Sequence, residues 1–240
     1  MQANATNRSG SRQQRWADPA LTVLAIELAV AIFILAPLGV VAPRSGLVLP
    51  LLLTALVVTP VLLAAVLVAS NNGAAMAAVF VAIALIVTGI ALGLHRPSVL
   101  VTYLHMIGAL IMGCALIWVV ARAVFAPGRV TYHRLVGTLL LYLMIGTTFA
   151  GLYGTLALLV PHAFAGMPAR EDGPAVIAHA LYFSFEALTT VGYGDVVAMH
   201  PLTRGLCNLE AVIGQLFPAT LVARMVTLEL ADRRRSELSA

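Results

Sequence analysis

The stretch Thr189-Thr190-Val191-Gly192-Tyr193-Gly194-Asp195 decides how this chain is read. Two glycines alternate with larger residues, and glycine accepts a positive φ at little steric cost. A backbone whose handedness alternates aims successive carbonyls the same way. Gly192 and Gly194 stand where such a backbone needs them. The flanks are apolar. Residues 175–188 would make a helix of roughly 20 Å at about 1.5 Å per residue, too short for a bilayer core of about 30 Å. Residues 203–230 are long enough to cross. A short helix that runs into irregular backbone is expected to be re-entrant, since such backbone is tolerated at membrane depth only where protein or water covers it.

Composition sets the surroundings. Of 240 residues, 61% are hydrophobic and 10% charged, with a mean hydropathy of +0.98. A soluble domain has no use for so much apolar content, so the chain reads as a polytopic membrane protein. The net charge of +4 comes from arginine without lysine. These arginines stand at the ends of apolar runs with no interleaved aromatics, which excludes a nucleic-acid partner and marks them as topology signals. The lysine-free, Ala- and Val-rich composition points to a GC-rich bacterium and thus to its inner membrane. Cys114 and Cys207 lie in apolar segments and read as buried small hydrophobes rather than a disulfide or a metal site.

The Thr-Val-Gly-Tyr-Gly run at 190–194 resembles the selectivity filter of the tetrameric pore-loop potassium channels. The resemblance implies that carbonyls of Thr190, Val191, Gly192 and Tyr193, closed by Gly194, replace the water of a K+ ion. The Thr190 hydroxyl would join the innermost ring, and Val191 and Tyr193 would turn their side chains outward. One chain brings one filter strand, so the resemblance implies a homotetramer. It covers residues 134–231; the first four helices match a channel family in number only.

In chain order, the expected fold is an all-α membrane protein with six transmembrane helices. A cytoplasmic tail (1–19) precedes a four-helix domain (20–126) with runs at 20–42, 47–69, 74–94 and 99–125. The first run is longer than a signal-peptide core, the rival reading. It carries Glu27, which must face protein or water or be protonated. Pro60 should kink the second run. The fourth run has no arginine from 99 to 121, so no conventional voltage sensor is expected. His105 in this run reads as a packing histidine. The pore domain (127–231) holds an outer helix at 134–160, a polar turret at 161–174, the re-entrant pore helix, the filter and an inner helix at 203–230. A cytoplasmic tail (232–240) ends the chain. Both termini inside place ten arginines on the cytoplasmic side and four outside, in agreement with the positive-inside rule.

Several residues are expected to support the filter. In the related two-helix bacterial channels, carboxyls at the places of Glu186 and Asp195 meet behind the filter and share a proton. The plainer reading has Glu186 bonded to local backbone. Tyr182, Phe183 and Phe185 supply aromatic bulk for a cuff around it. His200 is either an external pH sensor or an interface histidine. Gly214 matches the family's hinge glycine. Gln215, Pro218, Val222 and Val226 share a face as candidate pore lining, and Pro218 should add a kink. Glu210 reads as a contact to the pore helix or the outer helix.

The expected function is passive, potassium-selective conduction. No nucleotide loop, metal cluster or catalytic constellation is visible, so neither an enzyme nor a cofactor is expected. K+ is the permeant ion and the bilayer the partner. Two rivals stand: a subunit of a potassium uptake system, and a membrane sensor with a vestigial pore.

Overall fold

The computed structural model describes residues 22–23, 25–35, 73–95, 99–125, 132–168 and 173–239. The second apolar run at 47–69, the tail at 1–19 and Asp172 lie outside the described residues. Helix α1 covers Ala25–Ile34 and closes on a π-helical stretch, Ala31–Leu35. Then come α2 (Gly73–His95), α3 (Val99–Val124) and α4 (Tyr132–Leu159). Strand β1 (Phe164–Ala165) precedes α5 (Gly173–Thr189), and β2 (Val197–Ala198) precedes α6 (Pro201–Ser239). Neighbours in sequence pack together: α2 on α3, α3 on α4, α4 on α5 and α5 on α6.

Among the described residues, two helical stretches are long and apolar enough to cross a membrane, Val136–Leu159 in α4 and Pro201–Arg224 in α6. They differ in cover. Of the best apolar window, 56% is buried in the first and 11% in the second. An apolar helix so bare within its own chain must be covered by lipid or by other chains.

One core joins Ala25 of α1, Val79 of α2, Val120 of α3, Leu141 and Met144 of α4, and Leu188 at the end of α5. A second cluster, nearer the filter stretch, gathers Tyr153, Ala180, Phe183, Val196 and Ala198. Helices α3 and α4 share the first of these cores.

Helix α6 extends beyond the apolar run at 203–230 to Ser239, so residues 232–239 of the expected tail are helical. Both cysteines are free, but Cys114 is exposed on α3 rather than buried.

The turret holds a feature that periodicity does not reveal. Phe164 and Ala165 pair antiparallel with Ala198 and Val197, tying the loop before the pore helix to the loop after the filter stretch. The Ala163 carbonyl accepts from Met199 N at 2.9 Å and from the Thr203 hydroxyl at 3.0 Å. His200 caps the start of α6, its Nδ1 accepting from Leu202 N at 3.2 Å, with Pro201 in the first helical position.

Candidate functional site: the filter stretch and its supports

Helix α5 ends where the filter stretch begins, and its hydrogen bonds show how. Thr190 N donates to the Ala187 carbonyl at 3.1 Å, and Val191 N to the Glu186 carbonyl at 3.0 Å. With Thr190 at φ 58°, this is a Schellman cap, satisfying two carbonyls that the helix end would otherwise orphan. Glycine usually fills that position. A β-branched threonine there carries strain of about 1–3 kcal/mol, so its surroundings must hold it. The Leu188 carbonyl accepts from the Tyr142 hydroxyl of α4 at 3.3 Å.

Beyond the cap the backbone alternates. Thr190, Gly192 and Gly194 have φ of 58°, 59° and 83°, while Val191 and Tyr193 between them are not positive. Of the positive positions, two are the glycines singled out from sequence, and Thr190 is the third. Residues 189–195 are all exposed within the single chain.

Helix α6 reaches this stretch through two adjacent residues. Gln215 Nε2 donates to Thr190 Oγ1 at 2.8 Å. Gly214 is buried, and a Cβ placed on it would fall on the Leu188 carbonyl oxygen. Helix α6 runs unbroken through Gly214, and the end of α5 leaves no room there for a side chain. Pro218, Val222 and Val226 are exposed below it. Pro218 has no N–H to offer the carbonyl four residues back, which belongs to Gly214.

No direct hydrogen bond joins Glu186 to Asp195 among the described residues, and the Tyr182 hydroxyl interacts with both carboxyls. Asp195 Oδ1 accepts from Val196 N at 3.0 Å and from the Tyr182 hydroxyl at 3.3 Å. Glu186 is buried, and its Oε1 has no hydrogen-bond partner within the chain. The aromatic cuff shrinks. Tyr182 stacks on Tyr193 at 6.4 Å and 3° between planes. Phe183 instead packs edge-on against Tyr153 and Phe164, and Phe185 against Phe33 of α1. Adjacent positions on one helix point to different faces, so three aromatics in four residues cannot all face the filter.

Glu210 was legible only as a buried contact to one of two helices; it touches both. Its Oε2 accepts from the Tyr153 hydroxyl of α4 at 2.7 Å, and its Oε1 lies 2.5 Å from Ser184 Oγ of α5. Further along α6, Arg224 Nη2 donates to the Phe125 carbonyl at 2.7 Å, and its guanidinium lies 4.8 Å over the Phe125 ring. That contact holds the end of α3 to α6. Among the described residues no cluster of His, Cys, Asp and Glu could hold a metal ion.

Neither the curated proteins nor the solved structures contain a match to the chain. Residues 137–229, from α4 through the filter stretch into α6, match the family model described as "Ion channel", and the similarity of this region supports an ion channel.

Proposed function

We propose that the chain is a potassium-selective, passive channel, with the filter formed by Thr190, Val191, Gly192, Tyr193 and Gly194. The observation that carries this reading is the alternation of φ along 190–194. A backbone of alternating handedness turns consecutive carbonyls toward one side, and a row of carbonyls can stand in for the water of a K+ ion. Helix α5 adds to it, since its C-terminal end abuts the stretch and carries partial negative charge that favours a cation.

One strand cannot surround an ion, so the pore needs several chains, and four is the number the motif implies. The bare apolar face of α6 supplies the surface for such assembly. In this reading α4 and α6 are the outer and inner helices, α5 is re-entrant, and the runs at 20–42, 47–69, 74–94 and 99–125 complete six spans. Both termini lie on the cytoplasmic side of an inner membrane. Conduction follows the ion gradient, with no voltage sensor in α3 and no chemical step.

Flux tests it. The purified protein in liposomes, under a K+ gradient against Na+, is expected to pass K+ selectively. Gly192→Ala should abolish this, because a side chain at φ 59° costs about 1–2 kcal/mol in every subunit. Selective flux absent from a folded tetramer at several pH values and voltages would transfer the weight to a sensor with a vestigial pore.

A further inference from the structure

Glu210 is fully buried. Its Oε2 accepts a hydrogen bond from the Tyr153 hydroxyl at 2.7 Å, and its Oε1 lies 2.5 Å from Ser184 Oγ. The same Oγ lies 2.7 Å from the Gly146 carbonyl oxygen. A carbonyl only accepts, and a serine hydroxyl has one proton to give. If Ser184 gives it to Glu210, two acceptor oxygens, of Ser184 and Gly146, face each other at hydrogen-bonding distance with nothing between them. If Ser184 gives it to Gly146, the contact with Glu210 must be made by a proton from the carboxyl. Three short oxygen–oxygen contacts need three protons, and the two hydroxyls bring two. The carboxyl's hydrogen-bond partners in the chain are these hydroxyls; no basic side chain among the described residues bonds to it. A bare carboxylate without counter-charge is costly in such a place.

We infer that Glu210 is a carboxylic acid, and that its proton completes a chain from Glu210 to Ser184 to the Gly146 carbonyl. With Tyr153 on the other oxygen, this chain fastens α5 to α4 and α6. Ser184 lies two residues before Glu186 and six before Thr190, so the fastening sets where the filter stretch begins. Glu210 is thus a positioning residue that touches no ion. Its effect on selectivity rests on the channel reading above; its proton does not.

Infrared difference spectroscopy of the full-length protein, wild type against Glu210→Gln, reads the proton directly. The expected difference is loss of a protonated-carboxyl C=O band that shifts in D2O; loss of carboxylate bands alone would overturn the inference. Flux in liposomes reads the positioning. Glu210→Gln keeps one donor and one acceptor and should hold K+ over Na+ discrimination within about twofold of wild type, whereas Glu210→Ala should lose about tenfold. Wild-type discrimination in the alanine variant would refute the positioning role. If that variant does not fold, Ser184→Ala replaces it. It should lose discrimination in the same direction, and unchanged discrimination would again refute the role. If wild type itself passes no K+, the channel reading fails, and the infrared result still decides the proton.

Discussion

Gln215 Nε2 donates to Thr190 Oγ1 across 2.8 Å, so a side chain of the inner helix holds the residue at which α5 ends and the filter stretch begins. Thr190 sits at φ 58°, where threonine is strained, and this bond is one of the things that hold it there. Gln215→Leu keeps the bulk and removes the donor. A neutral hydrogen bond contributes about 0.5–1.5 kcal/mol, so the K+ to Na+ flux ratio is expected to fall by roughly two- to tenfold. An unchanged ratio would show that the bond does not steady the filter.

Gly214 and Gly205 give a paired test on one helix. A Cβ at Gly214 meets the Leu188 carbonyl oxygen, whereas a Cβ at Gly205 meets nothing within 4 Å. Gly214→Ala should lower stability by about 1–3 kcal/mol through overpacking. Gly205→Ala should be neutral or stabilise by up to about 1 kcal/mol through helix propensity. Thermal unfolding in detergent measures both. A tolerated Gly214→Ala that only alters opening would instead support Gly214 as a hinge.

Tyr182 combines a hydroxyl bonded to Asp195 at 3.3 Å with a ring stacked on Tyr193. Tyr182→Phe removes the first and keeps the second; Tyr182→Ala removes both. The phenylalanine variant should keep selectivity and lose less than about 1 kcal/mol of stability, since the bond is long and exposed. The alanine variant should reduce the duration of conduction, measured as decay of flux with time. Equal behaviour of the two would assign the whole effect to the hydroxyl.

Arg224 lies over Phe125 and bonds its carbonyl, joining α6 to the end of α3. Arg224→Ala removes a charge-assisted hydrogen bond and a cation–π contact of about 0.5–1 kcal/mol. Amide hydrogen exchange around 121–125 should then speed up several-fold, with exchange at 184–188 unchanged. No change at 121–125 would show that the end of α3 is held by other contacts.

Much of the arrangement could be read from the sequence because its signals are local. Gly192 and Gly194 announce positive φ by lacking a Cβ, and the stretches around 145 and 210 announce helices by sustained apolar length. What stayed hidden has one cause, which is that sequence shows a residue but not what lies opposite it. Gly214 looks the same whether a helix must bend or a carbonyl must fit. Asp195 offers the same carboxylate whether its partner is Glu186 or the Tyr182 hydroxyl. The β1–β2 pair joins residues more than thirty positions apart in two-residue strands, too short for any periodicity. The exit of α5 through Thr190 was hidden because the capping position, normally glycine, is held by a β-branched residue.

Gly214 and Pro218 divide α6 mechanically. Above, the helix is pressed against the Leu188 carbonyl; four residues below, the proline leaves the Gly214 carbonyl without its helical donor. In the channel reading proposed above, the part of α6 that touches Leu188 is held in place, while beyond Pro218 the helix has lost one rung of its hydrogen-bond ladder, so movement near Val222 or Val226 is expected to leave the filter stretch where it is.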